Sequence, residues 1–252
     1  MAAHRRQPGG ADGRVREQTD SPPATQCDNR AVTTSTDPAA TISSTTTETG
    51  PDRSALPAAA TSRAVIDLEA VAHNGRLLAQ TAGVPWMAVV KADAYGHGLG
   101  PIALTALSAG ASWLGVAQLA EALTLRALLD EAGVARPVEE PSGQAPRVLS
   151  WLLPVMDPAR AACEDSPLRA ALKADLDLSV STLSQLEALA AAARAQATTA
   201  RLHLKVDTGM SRGGAMAEDL PALAAALRRA VDEGAVDVVG LWSHLSRADE
   251  PT

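Results

Sequence analysis

The chain has 252 residues, 46% hydrophobic and 20% charged. That is enough apolar surface for a core, and it excludes a wholly disordered chain, a collagen or a coiled-coil rod. A formal net charge of −7 argues against nucleic acid as the main partner, because phosphate binding needs a basic face.

Residues 1–60 form a Thr/Ser/Ala/Pro-rich island with neither helical nor strand periodicity. Such a stretch buries too little apolar area to offset its ordering entropy, so a disordered tail is expected there. Arg5-Arg6 leads into no apolar signal core, and no run in the chain reaches the ~18 apolar residues that cross a membrane. The two cysteines, Cys27 and Cys163, sit in unlike contexts. They suggest neither a disulfide framework nor a metal cluster, and a reducing compartment is the simplest reading.

From Arg63 the texture changes. Residues 64–68 read as a short strand, and 68–82 as a helix with Leu68, Val71, Leu77 and Leu78 on one side. Strands are then expected at 86–90, 113–117, 148–153, 176–180, 202–206 and 236–242. Helices are expected near 101–109, 118–132, 158–173, 182–196 and 217–233. Residues 137–146 read as a polar surface loop. Strand then helix, repeated, means parallel β/α units. The strand runs read as apolar on both faces, which fits a sheet covered by helices or closed into a barrel. A (β/α)8 barrel needs eight strands and about 250 residues, so about six of eight are expected here. An open six-stranded Rossmann-like sheet is the alternative, weakened because no G-x-G-x-x-G follows the first strand.

Three strand ends carry polar chemistry. The run Val89-Val90-Lys91-Ala92-Asp93-Ala94-Tyr95-Gly96-His97-Gly98 puts a lysine where barrel enzymes keep their sites. Burial makes its charge costly, so a lowered pKa and a nucleophilic amine are expected, suited to a Schiff base with a carbonyl compound. A surface lysine before a Gly-rich turn is the alternative. In the run 202–214, Lys205, Asp207 and Arg212 are candidates to converge on an anion, or are solvated charges of a turn. His203 reads as packed or on the outer face. The third end is Trp242-Ser243-His244-Leu245. His73, His97, His203 and His244 show no metal-ligand spacing.

Residues 91–98 resemble the pyridoxal-phosphate lysine motif of the alanine racemase family. The runs Lys205 to Arg212 and Ser243 to Glu250 resemble its later barrel motifs, and the likeness covers about 63–250. Small pyridoxal-phosphate homeostasis proteins share the barrel but not Ala-Tyr-Gly-His-Gly after the lysine. The resemblance implies an α/β fold: an incomplete (β/α)8 TIM-type barrel over 63–252, preceded by the disordered tail. The opening strand would pair with a C-terminal β domain rather than enter the barrel. The cofactor implied is pyridoxal 5'-phosphate. Lys91 would be the Schiff-base lysine and one racemisation base. Tyr95 would contact the phosphate, Arg212 the phenolic oxygen, and His244 would lie beside the pyridine ring. Lys205 is the candidate for carbamylation, which would make it an anion able to pair with Arg212.

The resemblance further implies racemisation of L- and D-alanine by two bases and a homodimer, and the histidine spacing leads to no metal being expected. Charge and hydropathy lead to no nucleic-acid or membrane partner being expected, and the resemblance implies a cytoplasmic role supplying D-alanine for the cell wall. The second base is a tyrosine of the partner's β domain. The one Tyr of this sequence is Tyr95, so an N-terminal part of an alanine racemase is expected, with exposed edges prone to aggregation. A racemase for another amino acid, such as serine or lysine, and a non-catalytic remnant that at most binds the cofactor are the alternatives.

Overall fold

The computed structural model describes residues 64–139, 145–248 and 250. The expected tail at 1–60 and the centre of the 137–146 loop lie outside them. The first described element is helix α1, Leu68–Ala82. Asp67 caps it, its carboxylate accepting from the amides of Glu69 and Ala70 at 3.0 Å each. Gly83, at φ 65°, ends it. This cap corrects the strand expected at 64–68. Residues 64–67 are irregular, since a strand needs a neighbouring strand and they have none among the described residues.

Six strands follow: β1 Met87–Val89, β2 Trp113–Gln118, β3 Arg147–Leu152, β4 Asp177–Val180, β5 Ala200–Val206 and β6 Val236–Ser243. All six expected strands form. They pair in parallel, each with the next in sequence. A doubly wound sheet reverses its strand order part-way. Here the order never reverses, so the fold is an incomplete (β/α)8 barrel with β1 and β6 as its edges.

Helices connect the strands. Between β1 and β2 lie a short segment α2, Lys91–Gly96, and helix α3, Leu99–Ser108. Helix α4, Leu119–Glu131, follows β2. The helix expected at 158–173 is two, α5 Pro158–Ala162 and α6 Pro167–Lys173. Ser166 caps α6 and Pro167 starts it; a proline amide cannot continue the preceding helix. Helices α7, Leu183–Ala195, and α8, Leu220–Asp232, complete the layer.

The core lies between sheet and helices. Leu114, Val116, Val148, Leu178, Val180 and Leu202 meet Leu125, Leu129, Leu189 and Leu223 there, all fully buried. Each such side chain contributes roughly 1.5–3 kcal/mol of transfer free energy. Helix α1 departs from expectation. Leu77 and Leu78 are 53% and 65% exposed, and only Gly75 is buried. A Cβ at Gly75 would lie 3.2 Å from both the Ala109 Cβ and the Trp86 ring, so α1 docks through a backbone approach rather than a leucine stripe. Of the two cysteines, Cys163 follows α5 and is buried, and Cys27 lies outside the described residues.

The inner sheet face is the main surprise. The strands are not apolar on both sides, because Asp177 and Ser179 on β4 and Arg201, His203 and Lys205 on β5 alternate toward the interior. Asp177 is fully buried. It accepts from Arg147 Nε at 2.9 Å, Arg201 Nε at 3.0 Å and His203 Nε2 at 3.1 Å. Burial alone would raise its pKa. The His203 hydrogen bond and the two guanidinium groups outweigh that and hold it below the usual carboxylate range. The His203 ring meets Trp113 edge-on at 5.2 Å, and a Cβ at Gly240 would collide with its Nδ1. A β-bulge at Leu202/His203 shifts the register there.

Asp177→Ala therefore leaves the half-buried Arg147 and Arg201 guanidinium groups and the buried His203 ring without their shared acceptor, and urea unfolding at neutral pH is expected to show a loss of about 3 kcal/mol. With the folded pKa depressed, the carboxylate's stabilisation is complete above about pH 4 and is lost as pH falls through the folded value. The gap between wild type and variant narrows in acid; a gap that widens there would contradict this.

Candidate active site

Parallel strands bring every C-terminal end to one side of the sheet. The candidate residues sit at the ends of β1, β5 and β6 on that side. At the first, Val90 is buried and its amide donates to the Gly115 carbonyl of β2 at 2.9 Å. The chain then makes a left-handed turn. Ala92, Asp93, Ala94 and Tyr95 have φ of 53°, 53°, 52° and 58°. Non-glycine residues pay roughly 1–2 kcal/mol each in this conformation, so neighbouring bonds must hold it.

They do so at several points. The Ala94 amide donates to Val90 O at 2.9 Å, and the Gly98 amide to Asp93 O at 3.0 Å. The Leu99 amide donates to Asp93 Oδ1 at 2.7 Å. His97 Nδ1 donates to Ala94 O at 2.9 Å, which places the proton on that nitrogen. Glu121 Oε1 accepts from the Ala92 amide at 2.7 Å. Gly96 and Gly98 both take positive φ, a conformation open to glycine without steric cost. The turn carries Lys91 back toward Tyr95, with Nζ 5.8 Å from the ring centroid. Lys91 is half-buried, and Tyr95 is 58% exposed.

The second group belongs to β5 and β6. Lys205 is 9% exposed, with Nζ 4.9 Å over the Trp242 ring. Trp242 Nε1 donates to Ser179 Oγ at 2.9 Å, and its ring meets Trp151 edge-on at 6.1 Å. Burial, and then the nearby Arg212 charge, push the Lys205 amine below its ordinary pKa; Asp207 opposes them. The loop after β5 folds back through Ala215 N to Lys205 O at 2.8 Å and Asp207 N to Ala215 O at 3.0 Å. Gly214 has φ 137°, and a Cβ there would strike the Asp207 backbone. Asp207 Oδ1 accepts from the amides of Gly209 and Ser211 at 2.8 and 3.1 Å. These bonds hold the carboxyl below the usual range. Arg212 Nη2 approaches the His244 ring nitrogens at 3.3 and 3.4 Å, and Thr208 Oγ1 lies 2.5 Å from Ser243 Oγ.

The structure thus pairs Lys91 with Tyr95, and Arg212 with His244, with Lys205 against Trp242. His203, two residues before Lys205, is packed on Asp177 and lies outside the site. Sequence reasoning missed Glu121 and Trp242. The available signal for Glu121 was its spacing from Gln118, a helix-start capping box; for Trp242 there was none beyond an aromatic at a strand end. Among the described residues no cluster of His, Cys, Asp or Glu is arranged to hold a metal ion.

Residues 66–252 match the family model described as alanine racemase, N-terminal domain. The chain belongs to the alanine racemase family. A curated alanine racemase of Beutenbergia cavernae is 48% identical over 189 residues, covering 75% of this chain and 44% of that protein. The crystal structure of alanine racemase from D-cycloserine producing Streptomyces lavendulae matches with a TM-score of 0.63 and 43% identity, covering 74% of this chain and 43% of that one. A histidine racemase of Leuconostoc mesenteroides subsp. sake matches with a TM-score of 0.53 and 30% identity, covering 73% and 43%. This racemase-family chain spans less than half the length of these relatives.

The Lys205 environment has a measurable consequence. Acylation followed by mass spectrometry across pH is expected to give Lys205 a half-reactivity pH below the ~10.4 of a free lysine. Arg212→Gln shifts that midpoint upward but not fully, because burial is the larger cause. The sign for folding follows: a charged Lys205 opposes folding below its depressed pKa, and the penalty is relieved as pH rises toward the ordinary value. A midpoint at the free-lysine value in wild type would contradict the burial argument.

Proposed function

We propose that this chain supplies the cofactor-lysine half of a pyridoxal 5'-phosphate-dependent alanine racemase. The observation that carries the reading is Lys91, half-buried at the end of β1 on a left-handed turn that brings Tyr95 under its amine. The donor set fits the cofactor. An aldehyde needs a primary amine, a phenolic oxygen needs a cation, and a pyridine ring needs a flat neighbour. Lys91, Arg212 and His244 are of those kinds.

Lys91 would hold the cofactor through its ε-amine and would move the substrate α-proton on one face. When bound, the cofactor supplies an electron sink for the charge left at the substrate Cα. Tyr95 would donate to the phosphate and Arg212 to the phenolic oxygen. His244 would lie along the ring and keep Arg212 oriented. Lys205, whose amine is depressed by burial, is suited to add carbon dioxide. The neutral amine forms an N–C bond and releases a proton, and the resulting carbamate would pair with Arg212. The proton on the opposite face needs a second base. Tyr95 is the only tyrosine of this sequence, so that base would come from the β domain of a partner subunit, and a homodimer is part of the proposal. The reading extends to residues 63–252 as the N-terminal part of the barrel. It also extends to a cytoplasmic role in D-alanine supply for the cell wall.

A racemase for another amino acid is the second reading, favoured by the match to a histidine racemase over the same part of the chain. The cofactor chemistry of Lys91 is common to both.

The sequence holds three lysines, Lys91, Lys173 and Lys205, so borohydride trapping is decisive. Incubation with pyridoxal 5'-phosphate, reduction and peptide mapping are expected to put the pyridoxyl group on Lys91, with Lys91→Arg abolishing it. Label spread over Lys173 and Lys205, unchanged in the variant, would sink the reading. In a racemase of full family length, Lys91→Ala is expected to lower racemisation by about 10³-fold or more.

A further inference from the structure

We propose that Glu121 is a positioning residue for Lys91, acting as a clamp on the peptide that follows the lysine. Its two carboxylate oxygens serve two different strands' ends. Oε1 accepts from the Ala92 amide at 2.7 Å, and Oε2 from the Gln118 amide at 2.8 Å. Gln118 is the last residue of β2, and Ala92 lies three residues beyond the end of β1. One carboxylate therefore ties the exits of the two strands together just past their last ladder pair, Val89 with Gly115.

The clamp is held from one side and acts on the other. Glu121 stands in the first turn of α4, where it completes a capping box with Gln118. Helix α4 is anchored by the fully buried Ala122, Leu125 and Leu129, so the carboxylate's starting point is rigid. The segment it holds is strained. Four consecutive left-handed residues follow Lys91, and such strain persists only where surroundings over-determine it. The amides at the start of a helical turn have no acceptor within it. Ala94 reaches back to Val90 O, but the Ala92 amide has Glu121. Removing the carboxylate frees the peptide adjoining Lys91, and the turn that sets Lys91 against Tyr95 relaxes.

The catalytic meaning of this clamp rests on the proposed role of Lys91 as the cofactor lysine. The clamp itself does not, and the test separates them. Amide hydrogen exchange on the full chain reads the Ala92 amide directly. Glu121→Ala is expected to speed its exchange at least 10-fold. Gln118→Ala removes the reciprocal half of the capping box but leaves the Ala92 bond, and is expected to stay near wild type. A role confined to capping α4 would move both variants together. If Glu121→Ala does not fold, Glu121→Gln serves. Gln is tolerated in a capping box but offers one acceptor oxygen for two amides, and about a 3-fold acceleration is expected. In parallel, borohydride-trapped pyridoxyl label at Lys91, relative to Lys173, is expected to fall at least 10-fold in Glu121→Ala and little in Gln118→Ala. Unchanged Ala92 exchange in the Glu121 variants, or equal effects in Gln118→Ala, overturns the clamp. A wild-type chain that takes no label at Lys91 but shows the exchange pattern supports the clamp and overturns the cofactor reading instead.

Discussion

Parallel strands cannot be joined by tight hairpins, so each strand must hand the chain to a helix that returns it to the starting side. In this chain every link from β1 to β6 obeys that constraint, and each strand pairs with its sequence neighbour. All strand exits then face one way, and residues more than a hundred positions apart share one rim. Lys91 and His244 owe their common side to nothing else.

The same pairing fixes what lies beneath the rim. On β5 the side chains of Arg201, His203 and Lys205 point inward in succession. The lower two meet Asp177 in a buried ionic cluster with Arg147, while Lys205 stands over Trp242. A two-residue step along one strand thus separates a structural cluster from a candidate site. The cluster satisfies its charges internally, which a buried carboxylate requires. The lysine instead is short of counter-charge, with Arg212 nearby and Asp207 its only opposing influence among the causes of its shift. Unbalanced charge at the rim and balanced charge below it is the division of labour seen in barrel folds, with function at the C-terminal face and stability at the other.

Much of this was legible in the residues. The six strands stand within three residues of their expected limits, because short apolar runs bounded by Gly, Pro and polar residues leave few alternatives. Lys91, Tyr95, Arg212 and His244 were singled out by the three motif runs and by their strand-end positions. What misled was local likeness. Ala64 to Leu68 is β-branched and apolar enough for a strand, yet Asp67 turns it into a helix start. Leu77 and Leu78 have a core composition, yet Gly75 makes the contact and leaves them outside. The polar inner face escaped because alternation in β4 and β5 is masked by apolar neighbours, and a buried Asp is recognisable only by the cations that surround it.

The sequence by itself determined the element types, their parallel order and the family, since these follow from hydrophobic period, connection length and a long specific motif. Only the tertiary structure decided that the residues after Lys91 run left-handed. It alone revealed that Glu121, twenty-nine positions away, holds their first amide, and that Lys205 lies on Trp242. Those contacts join separate strand exits, and no local periodicity encodes which side chains two exits bring within reach of each other.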